Sequence, residues 1–322
     1  MRYIGRVGCV ALLMCCAPGG IAFAADGSCP GNPDAIGTSR TITVDPLALP
    51  RIGNMQYRET VPLNDHEVVI TFDDGPIPPS TTRILGILKE NCVKATYFLV
   101  GEMADAYPSL VRKIYNDGHT VGTHSQHHPL GFDRIGNDRM EREVDKGIAA
   151  VKAAVGDPRA VSPFFRIPGL ARSKRIETFL ALQSLAVWSA DEVADDWHVG
   201  ISAESIVRRA IRRIEANNHR GVLLLHDIHA TTARALPSLL KELKSRGYHI
   251  VHVVAPGERP KSVPELAPVE VAKADTADVK PVRRARHRHA KRKDDSFTTV
   301  LAGKKRMTHT AAGYSGSSVA RY

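Results

Sequence analysis

The sequence predicts an α/β fold built around a parallel β-sheet. From Glu67 to Ala255, apolar strand-like runs alternate with segments of helical periodicity, and this alternation is typical of parallel sheets. Seven strand candidates fall within about 190 residues, which favours a barrel somewhat smaller than the eight-stranded one. An open, doubly wound sheet is the alternative. No G-x-G-x-x-G or Walker loop follows any strand, so nucleotide binding has no support.

The candidate elements follow one another in a regular order. Strand candidates occupy residues 67–72, 95–100, 119–122, 163–167, 184–189, 221–226 and 249–254. Helical patterns occupy residues 80–91, 108–117, 136–155, 172–182, 202–217 and 232–246. Ser202 is a candidate N-cap for the fifth helix. Four glycines follow helical patterns at the position where glycine commonly ends a helix: Gly118, Gly156, Gly221 and Gly247.

The first 24 residues have the pattern of a cleaved signal peptide. Arg2 and Arg6 precede the apolar run 7–17, and Ala22-Phe23-Ala24 offers small residues for cleavage. The sequence therefore predicts a secreted or periplasmic protein whose mature chain starts near residue 25. A retained N-terminal anchor or a lipid attachment is the alternative. Residues 25–65 are predicted to form an extended lead-in with one strand or a hairpin.

Removal of residues 1–24 would leave two of the five cysteines. Cys29 and Cys92 could then form one disulfide in an oxidising compartment, or remain separate thiols with Cys92 packed at the end of a helix.

The net charge of +10 is concentrated at the C-terminus. Residues 256–322 contain 15 Lys and Arg against 7 Asp and Glu, whereas residues 25–255 are neutral overall. The segment 256–322 is predicted to be a disordered basic tail that either adheres to an anionic polymer or membrane surface or is simply solvated. Nucleic acid is not an expected partner of a secreted protein, and no protein partner is predicted.

Two adjacent carboxylates close the first strand of the predicted sheet. The apolar run 68–72 ends in Asp73 and Asp74, and Gly75-Pro76 then turns the chain. Barrels and open α/β sheets place their chemistry at the carboxyl ends of the strands. Two acids in that position need a cation or a proton to compensate them. A turn shaped only by Asp, Gly and Pro is the alternative.

Two further strand ends carry basic side chains. His124 and His128 are four residues apart, so on a helical turn they would share a face, as metal-binding histidines often do. With Asp74 they make a His-His-Asp set that suits zinc with an open position for water. Arg166 ends an aromatic strand, and its buried charge would need an anion, which Asp73 or Asp74 would provide. Taken singly, these residues are equally consistent with a polar loop and an ordinary salt bridge.

The last two strand ends supply acids, tryptophan and histidine. Residues 188–197 combine carboxylates with Trp188 and Trp197, and tryptophan beside carboxylates suits sugar rings, although Trp188 is also a core candidate. The apolar strand 221–226 ends in His226, a candidate acid or base or else a satisfied core histidine. Packing alone does not readily explain polar residues at five strand ends.

The order and spacing of these residues resemble the polysaccharide deacetylase family, carbohydrate esterase family four, whose catalytic unit is also called the NodB homology domain. Five motifs carry the resemblance: Thr71-Phe72-Asp73-Asp74-Gly75-Pro76, His124-Ser125-x-x-His128, Arg166-x-Pro168, Asp196-Trp197 and Leu224-x-His226. The matching domain would span residues 66–255. The resemblance implies a distorted, TIM-like (β/α) barrel of seven strands, which agrees with the number of strand candidates.

The resemblance also implies a role for each matching residue at the first two motifs. Asp74, His124 and His128 would bind a divalent metal, usually zinc, with cobalt or another divalent ion as alternatives. Asp73 would be the general base that activates water.

The remaining motifs would complete the site. Arg166 would hold the base, His226 would protonate the departing amine, and Asp196 would orient His226. Because the fourth motif is loosely spaced, Asp191 or Asp195 could replace Asp196.

The third motif departs from the family pattern. The family commonly continues Pro-Tyr-Gly, whereas Pro168 is followed here by Gly169 and Leu170. Gly169 retains a backbone N–H for the oxyanion, but the tyrosine wall of the sugar groove is missing. Trp197 and Leu224 are the further substrate-binding candidates.

The resulting hypothesis is a metal-dependent hydrolase that removes N-acetyl groups from a glycan and releases acetate. Peptidoglycan, a chitin-like oligomer and an exopolysaccharide are the candidate substrates. An O-acetyl esterase on the same fold and a non-catalytic module that binds cell-wall glycan are the alternatives.

Overall fold

The computed structural model describes residues 29–257. The strands within that range are β1 (Thr38–Thr43), β2 (Arg51–Ile52), β3 (Glu67–Asp73), β4 (Thr96–Leu99), β5 (Thr120–Thr123), β6 (Phe164–Arg166), β7 (Ala186–Trp188), β8 (Glu192–Val193), β9 (Gly221–His226) and β10 (His249–Val254). The α-helices are α1 (Ser80–Glu90), α2 (Gly101–Ala106), α3 (Pro108–Asn116), α4 (Asn137–Val155), α5 (Lys174–Leu182), α6 (Ala203–Ala216) and α7 (Ala230–Ser245).

The strands form one parallel sheet that curves into a distorted barrel. Its central path is β8–β9–β3–β4–β5–β6–β7–β2, and β10 with β1 pairs alongside the start of β3. Between residues 29 and 257 there is no ladder between β7 and β8, so hydrogen bonds do not close the ring completely. The lead-in lies beside the segment that joins β7 to β8, where Ser189 N–H donates to Ile52 O at 2.7 Å and Met55 N–H donates to Ala190 O at 3.0 Å.

The central strand β3 is buried on both faces. Val68, Ile70 and Phe72 pack into the layer between the sheet and the outer helices, whereas Val69 packs with Trp188 in a second cluster. Successive side chains of a strand point to opposite faces, so an uninterrupted apolar run is what a strand covered on both faces requires. The polar side chains of β3 are Glu67 at its start, Thr71, and Asp73 at the end where the site lies.

Most predicted elements are present, with ends shifted by at most two residues. The sequence missed α2 and β8, which have only six and two residues. It was also wrong about Gly221, which begins β9 and does not end α6. Helix α6 ends at Ala216, and the left-handed turn after it falls on Asn218 and His219, each at φ 55°.

The lead-in does not fold into a hairpin. Strand β1 pairs with β10 and β2 pairs with β7, both in parallel, so the two short strands extend different parts of the sheet. Cys29 and Cys92 form a disulfide with Cα atoms 5.6 Å apart, which decides between the two alternatives left by the sequence. The predicted signal peptide and basic tail lie outside the described residues. None of the helices between residues 29 and 257 is both long and apolar enough to cross a membrane.

Candidate active site

The carboxyl ends of adjacent parallel strands bring the predicted residues together. Asp73 at the end of β3 is in register with His226 at the end of β9. On the other side, β4 pairs with β5, which leads into His124, and β5 pairs with β6, which ends at Arg166. Side chains separated by up to 153 residues in the sequence therefore meet at one edge of the barrel.

Three side chains form a group that could hold a metal ion. One ligand atom from each of Asp74, His124 and His128 lies within 4.8 Å of the others. Asp74 Oδ1 is 3.5 Å from His124 Nε2 and 3.4 Å from His128 Nε2. That oxygen is buried and, in the described part of the chain, accepts no hydrogen bond. A buried carboxylate oxygen that accepts no hydrogen bond needs a cation as its partner, so the residues present fit a divalent ion.

Local backbone geometry aims these ligands. Asp74 (φ 76°) and His128 (φ 47°) both adopt left-handed backbone conformations, which are uncommon outside glycine and are frequent at functional sites. His124 Nδ1 lies 2.6 Å from Arg166 O. Since a carbonyl only accepts, Nδ1 carries the proton and the lone pair of Nε2 faces Asp74. Burial is the main cause that lowers the pKa of His128, which favours the neutral imidazole that a metal requires.

Asp73 is held by a buried arginine. Arg166 Nη1 donates to Asp73 Oδ1 at 2.6 Å and to Thr71 Oγ1 at 2.8 Å, and Nη2 donates to Ser189 O at 2.8 Å. The guanidinium is completely buried and lies 4.2 Å from the centre of the Phe98 ring. Burial lowers the pKa of Arg166 while the charge of Asp73 raises it. These contacts pair the carboxylate with a buried cation and fix it beside Asp74.

His226 is paired with Asp196. His226 Nδ1 lies 2.8 Å from Asp196 Oδ1, and the His226 backbone N–H donates to Asp196 Oδ2 at 2.8 Å. Thr232 Oγ1 in the first turn of α7 also donates to Asp196 Oδ2, at 2.6 Å. Burial by itself would lower the pKa of His226, but Asp196, with Asp74 and Asp73, raises it to about 9. The other ring nitrogen, Nε2, lies 3.9 Å from Asp74 Oδ2, so it faces the group formed by Asp74, His124 and His128.

The structure separates Asp196 from the two alternatives considered for the fourth motif. Asp191 accepts hydrogen bonds from Asn54 N–H at 2.5 Å and Val222 N–H at 2.8 Å, so it joins the lead-in to β9. Asp195 points to the outside of the barrel, where it binds Arg209 and Arg213 of α6. Only Asp196, among these three acids, contacts the histidine.

The predicted substrate-binding residues lie around this group. Gly169 has a left-handed backbone (φ 58°), and among described residues its N–H donates to no protein acceptor. Trp197 is 42% exposed, and the edge of its ring system lies against His226 with centroids 5.4 Å apart. Leu224 is buried on the same face of β9 as His226, so it contributes packing beneath the site.

Two residues beside the site were missed by sequence reasoning. Asp227 is fully buried and accepts a hydrogen bond from Thr81 Oγ1. Its burial is the main cause that raises its pKa to about 7. Its carboxylate packs on Gly75, where a Cβ would lie 2.1 Å from Asp227 Oδ2. The position of Asp227 directly after His226 could have indicated that it lies beside the site. Nothing in the sequence connected Thr232 to Asp196.

Comparison with known proteins agrees with this geometry. Residues 60–187 match the family described as polysaccharide deacetylase. A peptidoglycan-N-acetylglucosamine deacetylase of Bacillus cereus is 31% identical over 205 residues, which are 61% of this chain and 70% of that protein. One from Listeria monocytogenes is 33% identical over 190 residues, 58% of this chain and 38% of that longer protein. The chain belongs to the polysaccharide deacetylase family.

Solved structures show the same fold. A peptidoglycan deacetylase of Bdellovibrio bacteriovorus superposes with a TM-score of 0.60 at 31% identity, covering 70% of this chain and 61% of that one. A family 4 carbohydrate esterase of Streptomyces lividans, solved with acetate, gives 0.52 at 30% identity, covering 59% and 93%. The distorted (β/α) barrel predicted from the sequence is therefore confirmed.

Proposed function

We propose that this protein is a divalent-metal-dependent hydrolase that removes acetyl groups from the amino groups of an N-acetylated glycan and releases acetate. The observation that carries the proposal is the meeting of a base held by arginine, a His-His-Asp group and a carboxylate-paired histidine at one edge of the barrel. Relatives named as peptidoglycan deacetylases support peptidoglycan as the substrate. Cell-wall glycan lies outside the cytoplasm, which agrees with the signal peptide predicted for residues 1–24.

Asp74, His124 and His128 would hold the metal. Asp74 Oδ1 lies 3.5 and 3.4 Å from the two imidazole nitrogens, so one ion could contact all three side chains. Two histidines and one carboxylate suit zinc, with cobalt or another divalent ion as the alternative. A divalent metal bound there would lower the pKa of a water molecule and polarise the acetyl carbonyl.

Asp73 is placed to accept the proton of the attacking water. Its Oδ1 is bound by Arg166, which leaves Oδ2 for that proton, and Oδ2 lies 3.9 Å from His124 Nε2 at the edge of the metal group. The hydrogen bond from the guanidinium fixes the direction of the Asp73 carboxylate.

His226 is placed to donate a proton to the leaving nitrogen. An amine is a poor leaving group unless it is protonated, so cleavage of an amide needs an acid that is charged at neutral pH. Asp196 raises the pKa of His226 to about 9 and holds the ring through Nδ1, which directs Nε2–H into the site. Gly169 N–H would stabilise the charge that develops on the acetyl oxygen, and the exposed face of Trp197 would bind a sugar ring.

The test is acetate release from N-acetylglucosamine oligomers and from peptidoglycan. Each substrate would be tried with metal-stripped protein, after zinc is restored, and with Asp73→Asn. Exposed Asp138 of α4 offers a matched control, Asp138→Asn, which should keep full activity. Release that requires both zinc and Asp73 is the expected result.

Other outcomes would assign the site differently. Acetate release from acetylxylan but from neither amide substrate would identify an O-acetyl esterase. Binding to wall material, with zinc bound at one ion per chain and no acetate release from any substrate, would identify a non-catalytic glycan-binding module. Attachment of residues 256–322 to an anionic polymer or membrane surface stays a prediction, to be tested by binding assays with and without that segment.

A further inference from the structure

A basic groove runs between helices α6 and α7 on the outside of the barrel. It has a volume of about 950 Å³, and six of its lining residues are Arg or Lys while three are Glu. The groove is therefore positively charged, although residues 25–255 as a whole are neutral. Such local concentration of one sign of charge favours an anionic ligand.

Several of these cations have no carboxylate partner. Glu215 and Glu242 are both bound to Arg246 at the far end of the groove. Arg212 and Lys241 are exposed and, among residues 29–257, lie within 4.0 Å of no carboxylate.

Two further cations of the groove lie nearer the site. Arg208 donates to Ser205 Oγ and Arg234 donates to Thr231 Oγ1, each at 2.9 Å, so each guanidinium binds a neutral hydroxyl. Within the described range neither guanidinium forms a salt bridge within 4.0 Å, although both interact electrostatically with Glu204, the third acid of the groove lining.

The α7 wall of the groove begins close to the active site. Thr232 in the first turn of α7 donates to Asp196, and Arg234 follows two residues later, about 3 Å further along the helix axis. Arg209 of α6 binds Asp195, the neighbour of Asp196. Lys241 lies about 14 Å beyond Thr232 along α7, because each helical residue adds about 1.5 Å. The groove thus leads away from the catalytic histidine over a distance of about 15 Å.

Peptidoglycan carries an anionic group that matches this charge and length. Its glycan strands bear short peptide stems with free carboxylates, and an extended stem of four or five residues spans about 13–18 Å. Chitin-like oligomers carry no such charge. The segment 256–322 is itself strongly basic, so charge complementarity does not favour it as the occupant.

Resting on the proposed function, we infer that the α6–α7 groove binds the carboxylates of a peptide stem while the glycan lies at the catalytic site. The protein would then distinguish stem-bearing peptidoglycan from neutral N-acetylated glycans by a contact outside the barrel mouth.

The test compares soluble peptidoglycan strands with the same strands after an amidase has removed the stems. The variant Arg212→Gln/Arg234→Gln/Lys241→Gln removes three groove cations. The control Arg139→Gln/Arg142→Gln/Lys146→Gln removes three exposed cations from α4, which packs against α2 and α3 on another side of the barrel. The rate of acetate release gives KM and kcat for each protein on each kind of strand. Thermal unfolding checks that each variant is folded.

We expect the groove variant to raise KM for stem-bearing strands about tenfold, since each exposed ion pair is worth roughly two- to threefold. The kcat of the groove variant on stem-bearing strands should equal that of the wild type, as should its KM and kcat on stem-free strands. The control variant should have the KM and kcat of the wild type on both kinds of strand. The wild-type preference for stem-bearing strands should shrink in 0.5 M NaCl, where charges are screened within a few ångströms.

Three results would overturn the inference. An unchanged KM on stem-bearing strands, with acetate still released, would refute the groove and leave the proposed function intact. An equal rise of KM on stem-bearing and stem-free strands would show that the groove cations do not recognise the peptide stem. If the wild type does not distinguish the strands but polyphosphate inhibits it only when the groove cations are present, the occupant is a phosphate polymer. No acetate release by the wild type from either strand would also refute this inference, and the proposed function would be refuted with it if N-acetylglucosamine oligomers release no acetate either.

Discussion

The buried pair of Arg166 and Asp73 gives the sharpest test of how this site is held together. The two groups are 0% and 2% exposed and their closest atoms are 2.6 Å apart. Arg166→Met would leave the Asp73 carboxylate buried without its cation and would remove the hydrogen bonds to Thr71 and Ser189 O. Removing one partner of a buried pair typically costs about 3–5 kcal/mol, so we expect the free energy of unfolding to fall by that amount.

The double variant Asp73→Asn/Arg166→Met removes the uncompensated charge as well. We therefore expect it to be destabilised by no more than the single arginine variant, with a coupling energy of at least about 2 kcal/mol between the two positions. The assay is urea unfolding at pH 7.5 with chelator present, so that metal binding does not enter. Additive effects of the two substitutions would refute the argument that Arg166 compensates Asp73. Asp73→Asn, Arg166→Met and the double variant should all lose acetate release, because each one removes the base or the cation that holds it.

Three further predictions follow from the pKa shifts and from the disulfide. Asp196→Asn should move the alkaline limb of the kcat–pH profile down by at least one pH unit, because Asp196 raises the pKa of His226 to about 9; an unchanged limb would separate this histidine from the acid step. Burial lowers the pKa of His252 to about 4, so its neutral form is favoured in the folded state and stability should fall as the pH drops from about 6.5 to 4, by up to about 3 kcal/mol. His252→Gln should flatten that part of the stability–pH curve, measured by urea unfolding against the wild type, and parallel curves would contradict the prediction. Reduction of the Cys29–Cys92 disulfide, which closes a loop of 63 residues, should lower the free energy of unfolding by about 4 kcal/mol, whereas equal midpoints with and without reductant would show that the lead-in adds nothing.

Much of the fold was readable from local patterns. Seven of the strands and six of the helices appear where apolar periodicity places them, because each is covered by neighbours on a fixed face and the sequence must keep that face apolar. Short elements escaped prediction: α2 and β8 contain too few residues to show a period. Gly221 misled because a glycine between a helix and a strand can serve either element.

The sequence by itself predicted which side chains carry the chemistry. Asp73, Asp74, His124 and His226 were candidates because polar residues at the ends of apolar strands cost free energy unless something compensates them. Each residue taken alone left a structural alternative open, and the five polar strand ends together, with the family resemblance, favoured the functional interpretation.

Only the tertiary structure decided which of these groups are partners. The choice of Asp196 over Asp191 and Asp195 depends on how one loop packs between β9 and α7, where Thr232 donates to the same carboxylate. The α6–α7 groove likewise exists only once two helices lie side by side, and it combines cations of both helices although residues 25–255 as a whole are neutral. Pairing of charges depends on distance in space, and the chain order alone does not contain that distance.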